Sequence, residues 1–121
     1  MANQNAKGFK RLINACWFSL AGFKATWQHE EAFRQEVILL IITTPLALYL
    51  GNSVIEKLLL IGSIVLVLVV ELLNSAIEAV VDRVGLEHHE LSGRAKDIGS
   101  AAVMLSLIWA TATWSLILLS Q

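Results

Sequence analysis

Charge is scarce in this sequence, and the places where it is missing organise everything else. Of 121 residues, 16% are charged and 56% are hydrophobic. That balance excludes an ordinary soluble domain and puts the chain in the integral membrane class, with room for one domain. Cysteine is nearly absent: Cys16 stands alone, which excludes an intrachain disulfide and gives no sign of an oxidising compartment. Proline occurs once, at Pro45, inside a run otherwise suited to a spanning helix, where a kink is expected and neighbours can satisfy the carbonyl it frees. Neither Gly-x-x-x-x-Gly-Lys-Ser/Thr nor the protein-kinase signatures occur, so no soluble nucleotide-binding fold is encoded. With no repeat, low-complexity tract or flexible linker, any site must be assembled from helices and short polar segments.

Three windows are long enough to span. Val37 to Ile55 and Ile98 to Leu119 carry no charge, and Leu58 to Val81 is interrupted only by Glu71 and Glu78. About 20 helical residues cross a hydrocarbon core of about 30 Å, which predicts spans over about 34–52, 55–83 and 95–119, with Gly51-Asn52-Ser53 turning the first two into an antiparallel hairpin. Lys7, Lys10, Arg11, Lys24 and Arg34 precede the first span, and Arg83, Arg94 and Lys96 lie between the second and third. The positive-inside rule therefore predicts a cytoplasmic N-terminus and 82–97 loop, and an external C-terminus.

Residues 7–27 have a superficial likeness to a secretory signal, because Lys10-Arg11 precede an uncharged run. No small-residue cleavage pattern ends that run, and Phe9, Leu12, Ile13, Cys16, Trp17, Leu20, Phe23 and Trp27 recur at helical spacing. An amphipathic helix is expected, lying on the cytoplasmic leaflet, packed on the bundle, or both. The charged stretch His29 to Glu36 that follows reads on composition as a solvated helix face.

The second span carries the chemistry. In Glu71-Leu-Leu-Asn-Ser-Ala-Ile-Glu78-Ala-Val-Val-Asp82 the polar residues fall at i, i+3, i+4, i+7 and i+11, so they line one helical face. A carboxylate at the middle of a spanning helix costs roughly 2.5 to 3.5 kcal/mol on insertion scales. Such a stripe must meet another helix, another subunit or a water-filled cleft. If Lys57 marks the outer interface, Glu71 lies about 20 Å inward and Glu78 about 30 Å, a gradient suited to a reaction between a lipid and a water-soluble partner. Asn74 and Ser75 also fit interhelical hydrogen-bond glue, and the carboxylates could be paired with Arg or Lys from the loop. Proton-coupled export is a further reading, although small exporters that depend on a membrane glutamate are four-span chains with the acid in the first helix.

The segment Glu87-His88-His89-Glu90-Leu-Ser-Gly-Arg94-Ala-Lys96-Asp97 supplies cations for phosphate and carboxylates for a divalent ion. His88 and His89 beside glutamates also fit a zinc site, on weaker grounds. Three spans and one surface helix are too few to enclose a nucleotide and a lipid together, so an oligomer is expected. Small residues at Gly62, Ser63, Gly99, Ser100, Ala101 and Ala102 permit close helix packing.

The strings Glu31-Ala-Phe-Arg-Gln-Glu36, Glu71 through Arg83, and His89-Glu-Leu-Ser-Gly-Arg-Ala-Lys-Asp-Ile-Gly-Ser-Ala-Ala102 closely resemble the bacterial integral-membrane diacylglycerol kinase family, over essentially the whole chain. The resemblance implies an all-α helical-bundle homotrimer in the bacterial inner membrane, each chain with a surface helix and three transmembrane helices. It implies phosphorylation of diacylglycerol by MgATP to phosphatidic acid, with polyprenol as the acceptor in related Gram-positive enzymes. Carried over, Glu71 would be the base and Asn74 its support. Glu30 and Glu78 would be Mg²⁺ ligands, and Arg11, Glu87, His89, Lys96 and Asp97 would surround the ATP. Glu36, Ser100 and Trp114 would belong to the lipid side, with Arg11 also near the substrate. Phe18 and His88 would stand near the nucleotide where the better-known members carry or can carry a phenol; at Phe18 the hydroxyl's hydrogen bond would be lost while stacking would survive.

Overall fold

The computed structural model describes residues 6–85, 87 and 89–121. Four helices follow in order: α1 (Gly8–His29), α2 (Glu31–Leu50), α3 (Val54–Val84) and α4 (Glu90–Ser120). The chain divides into two compact units, Met1–Glu31 and Ala32–Gln121.

In the first unit, α1 starts at Gly8, whose φ of 59° is open to a residue without a Cβ. Hydroxyls of Ser19 and Thr26 donate to the carbonyls of Ala15 and Gly22, each at 2.8 Å. Glu30 ends the helix by turning to extended backbone while its N–H still reaches the Thr26 carbonyl. Leu12, Trp17, Leu20 and Trp27 are exposed.

In the second unit, α2, α3 and α4 are each long and apolar enough to cross a membrane. The structure thus holds three helices fit for the expected spans, and α2 runs without a break through Pro45. At 31 residues, α3 is about 46 Å long, so it outreaches a hydrocarbon core of about 30 Å. Its start is fixed by a capping arrangement: Ser53 accepts from the Glu56 N–H at 3.1 Å and Glu56 reaches back to accept from the Asn52 N–H at 3.1 Å. The same Glu56 carboxylate accepts from the Gln121 side chain at 2.9 Å, which also donates to the Leu50 carbonyl at 2.7 Å. The C-terminal residue thus ties α4 to the α2–α3 turn. Gly51 is required in that turn for room, since a Cβ would stand 2.6 Å from Lys57 Cγ and 2.9 Å from the Ala47 carbonyl oxygen.

The closest packing is between α3 and α4. One face of α3 is buried at Leu60, Ser63, Ile64, Val67, Glu71 and Asn74, and α4 meets it with Gly99, Ser106, Ala110 and Thr113. The buried side chains of α4 are small, which lets the two backbones approach in the way membrane helices favour. The antiparallel register is pinned at both ends. Trp114 Nε1 donates to the Leu60 carbonyl oxygen at 3.0 Å, while fourteen residues further along α3 and fifteen back along α4, Asn74 lies against Gly99. From α2, Leu40 packs on the cluster of Ile64, Val67 and Ala110, with Phe33, Glu36 and Ala47 buried on the same face.

The charge distribution predicts a loop over 82–97. The helix instead begins at Glu90, because His89 caps it by accepting from the Leu91 N–H at 3.1 Å and Gly93 N–H already closes onto the His89 carbonyl. Arg94, Lys96 and Asp97 are consequently held on helix α4.

Trp114→Phe keeps the ring and removes the donor to Leu60. The expected loss is about 0.5–1.5 kcal/mol, seen as a lower thermal midpoint by circular dichroism in detergent.

Candidate functional site

The polar stripe of α3 runs from buried to exposed over three turns. Glu71 is 4% exposed and Asn74 9%, Glu78 is half-buried, and Asp82 is exposed. The arrangement follows from position: Glu71 and Asn74 continue the face that Leu60, Ile64 and Val67 bury against α4 and α2, and Asp82 lies where α3 runs beyond that cover. Asn74 joins the stripe internally, its Nδ2 donating to Glu78 Oε1 at 3.1 Å. This orients an acceptor oxygen of Glu78 and leaves Asn74 Oδ1 buried without a hydrogen-bond partner.

Glu36 belongs to the same centre. It is 9% exposed on α2, one turn from Leu40, which packs on the cluster of Ile64, Val67 and Ala110. Its Oε1 is buried and unpartnered. Composition had read the stretch around Glu36 as a solvated face. The structure corrects this at Glu36 and Phe33, which turn inward, while Glu31 and Gln35 stay exposed.

At the far end of the stripe Lys96 Nζ lies 2.7 Å from Asp82 Oδ1, so a cation of α4 does pair with the outermost carboxylate. Both side chains remain about half exposed, and such a pair contributes only about 0–1 kcal/mol. Arg94 lies 3.9 Å from Glu90 in an exposed i,i+4 contact. Glu87 and Asp97 are exposed, and His89 serves as the cap of α4. His88 lies outside the described residues. Ser100 is exposed beside Gly99. Trp114, bonded to Leu60, stands eleven residues of α3 from Glu71, about 16 Å along the helix axis. Arg11, Phe18 and Glu30 lie in the N-terminal unit, Arg11 and Phe18 exposed and Glu30 half-buried.

The structure therefore brings together Glu36, Glu71, Asn74 and Glu78, with Asp82 and Lys96 at the exposed end. It adds Gly99, which the sequence marked only as a small packing residue. A Cβ at this position would collide with Asn74 Oδ1 and stand 3.2 Å from its Cγ. Its signal in the sequence is weak, since six small residues had the same claim to close packing.

A model of the prokaryotic diacylglycerol kinase family matches residues 17–118. The diacylglycerol kinase of Escherichia coli K12 is 52% identical over 121 residues, covering 100% of this chain and 98% of its own. The chain belongs to the prokaryotic diacylglycerol kinase family. Relatives named diacylglycerol kinase in Pseudomonas aeruginosa (54% identical over 112 residues, 93% of this chain and 91% of theirs) and Helicobacter pylori strain 26695 (48% over 115 residues, 95% and 90%) agree. The stretch that matches the family contains the whole stripe of α3 and its cover on α2 and α4. Arg11 precedes that stretch, though the Escherichia coli relative aligns across it.

Gly99→Ala should push Asn74 aside and break its bond to Glu78. Overpacking costs about 1–3 kcal/mol, and turnover should fall at least tenfold. In the double variant Gly99→Ala/Asn74→Ala, thermal stability should return toward the parent while turnover stays low.

Proposed function

We propose that this lipid kinase transfers the γ-phosphoryl group of ATP to the free primary hydroxyl of diacylglycerol, giving phosphatidic acid and ADP. The observation that carries the reading is the buried carboxylate of Glu71 on the same face as Asn74 and Glu78, in a chain of this family. Phosphoryl transfer asks the protein for positioning, charge neutralisation and a proton acceptor. Glu71 accepts the hydroxyl proton as the lipid oxygen forms its bond to the γ-phosphorus and the bond from that phosphorus to the β-phosphate oxygen breaks. Burial among packed helices holds its carboxylate in a fixed place for that transfer. Asn74 holds Glu78 in place and so links the base to the phosphate end of the site. Lys96, held beside Asp82, offsets phosphate charge, and Arg11, Phe18, Glu87, His88, His89 and Asp97 complete the nucleotide surroundings. Glu36, Ser100 and Trp114 line the lipid side, with Trp114 at the depth of the acyl chains.

Glu30 and Glu78 would hold Mg²⁺, and the oxygen chemistry fits. Among the described residues no three His, Cys, Asp or Glu side chains gather as a metal site, and Mg²⁺ is commonly held by one or two carboxylates with substrate phosphates and water supplying the remainder. When bound, the ion neutralises charge across the phosphates.

The enzyme acts as a homotrimer in the bacterial inner membrane, with its N-terminus and the α3–α4 connection in the cytoplasm, its C-terminus in the periplasm and α1 on the cytoplasmic leaflet. A groove of about 490 Å³ between α3 and α4, lined by Leu66, Val70, Ala102, Leu105, Ser106 and Trp109, offers a neighbouring subunit an apolar seat. The distribution of Lys and Arg supports the orientation.

Labelled ATP with Mg²⁺ and dioleoylglycerol in mixed micelles should yield labelled phosphatidic acid with the parent and none with Glu71→Gln, while nucleotide binding persists in the variant. Normal turnover in Glu71→Gln removes it from the role of base. Product from undecaprenol alone reassigns the acceptor, and cation movement across sealed vesicles without ATP would favour an exporter.

Glu78→Gln should weaken Mg²⁺-dependent nucleotide binding at least tenfold while leaving Mg²⁺-independent binding near the parent value, measured by titration calorimetry.

A further inference from the structure

Glu78, Asp82 and Lys96 share the exposed end of the polar stripe, and the register of α3 against α4 sets how they can pair. Asn74 lies against Gly99. From that contact Lys96 is three residues back along α4, a rise of about 4.5 Å, while Glu78 and Asp82 are four and eight residues on along α3, about 6 and 12 Å. The helices run antiparallel, so the root of Lys96 is nearly level with Glu78 and stops well short of Asp82. Side chains lean toward the N-terminus of their own helix. The Lys96 stem therefore runs outward past the level of Glu78, and its Nζ comes to rest 2.7 Å from Asp82 Oδ1.

The two carboxylates are unequal partners. Glu78 is half-buried and Asp82 exposed, and they stand one turn apart on one face, where side chains are neighbours at about 5–6 Å between Cβ atoms. Lysine carries a compact charge on a flexible four-carbon stem, so both lie within its sweep. An opposite charge pulls harder where water is scarcer, and with Asp82 removed Glu78 is the next carboxylate on this face. Asn74 fixes one oxygen of Glu78, and among the described residues neither Lys nor Arg forms a salt bridge with it. An ammonium settled on the second oxygen would compete with a divalent cation for the same lone pairs.

We propose that Asp82 is a positioning residue that keeps the Lys96 ammonium off Glu78, so that Glu78 stays open to Mg²⁺ while the ammonium stands one turn further out, toward nucleotide phosphate. Asp82 acts through Lys96 and touches neither metal nor substrate. Its removal therefore harms metal binding only while the lysine is present. The inference rests on Glu78 as a metal ligand, and the test separates the two.

Calorimetric titration of the full chain in mixed micelles with the nonhydrolysable β,γ-methylene analogue of ATP, with and without Mg²⁺, gives the factor by which Mg²⁺ tightens binding. A contact between Lys96 and phosphate enters both titrations and largely cancels from that factor, and binding without Mg²⁺ shows that each variant is folded. Asp82→Asn should lower the factor at least fivefold, and Asp82→Glu, which keeps the pair, should leave it within twofold of the parent. Lys96→Met alone should change it less than twofold, and Asp82→Asn/Lys96→Met should match Lys96→Met, a coupling that independent sites do not show. A factor unmoved by Asp82→Asn, one that stays low in the double variant, or an equal gain from Lys96→Met in both backgrounds overturns the proposal. Loss of the factor in Glu78→Gln but not in Asp82→Asn overturns the proposal alone. Retention of the factor in Glu78→Gln removes Glu78 as a metal ligand and takes the proposal with it.

Discussion

A carboxylate inside a long apolar helix has to be covered, and that requirement shapes the whole second unit. Glu71 sits on the stripe of α3 that also carries Leu60, Ile64 and Val67, so the face that seeks burial for hydrophobic reasons and the face that needs a polar surrounding are one and the same. The fold answers with small residues. Gly99, Ser106, Ala110 and Thr113 bring α4 close enough to shield the stripe, and Leu40, Glu36 and Phe33 approach from α2. Bulkier residues on α4 would hold the helices apart and leave Asn74 and Glu71 in contact with lipid, where unpaired polar groups are costly.

The same geometry grades the site from dry to wet. Two turns of α3 separate the buried Glu71 from the half-buried Glu78, and one more turn reaches Asp82, exposed and paired with Lys96. The buried carboxylate of Glu71 thus stands at one end, and exposed carboxylate and cationic groups stand at the other. Asn74 spans the two by its bond to Glu78. Its unpartnered Oδ1, with those of Glu36, Ser75 and Thr113, marks polar capacity held inside the bundle.

Much of this was legible in the order of residues. Long uncharged runs announced the spanning helices because backbone in hydrocarbon must be helical or closed into a barrel, and the i, i+3, i+4, i+7 spacing put Glu71, Asn74 and Glu78 on one face because the period of a helix is local. The start of α4 was misread. The pull of Arg94, Lys96 and Asp97 toward a solvated loop is compositional, whereas the cap from His89 depends on one side-chain nitrogen meeting one backbone N–H. Glu36 was read from composition as part of an exposed charged stretch, since nothing within α2 alone distinguishes it from Glu31 or Gln35.

What the sequence determined by itself was the class of the protein, its three spanning segments and the polar face of α3, because hydrophobicity and helical period act within one segment. What only the tertiary structure decided was which residues meet across segments: Asn74 with Gly99, Trp114 with Leu60, Lys96 with Asp82, and Gln121 with Glu56. Those meetings depend on helix register and interhelical distance, which are set by packing small side chains against large ones across the bundle, and no single helix carries that information.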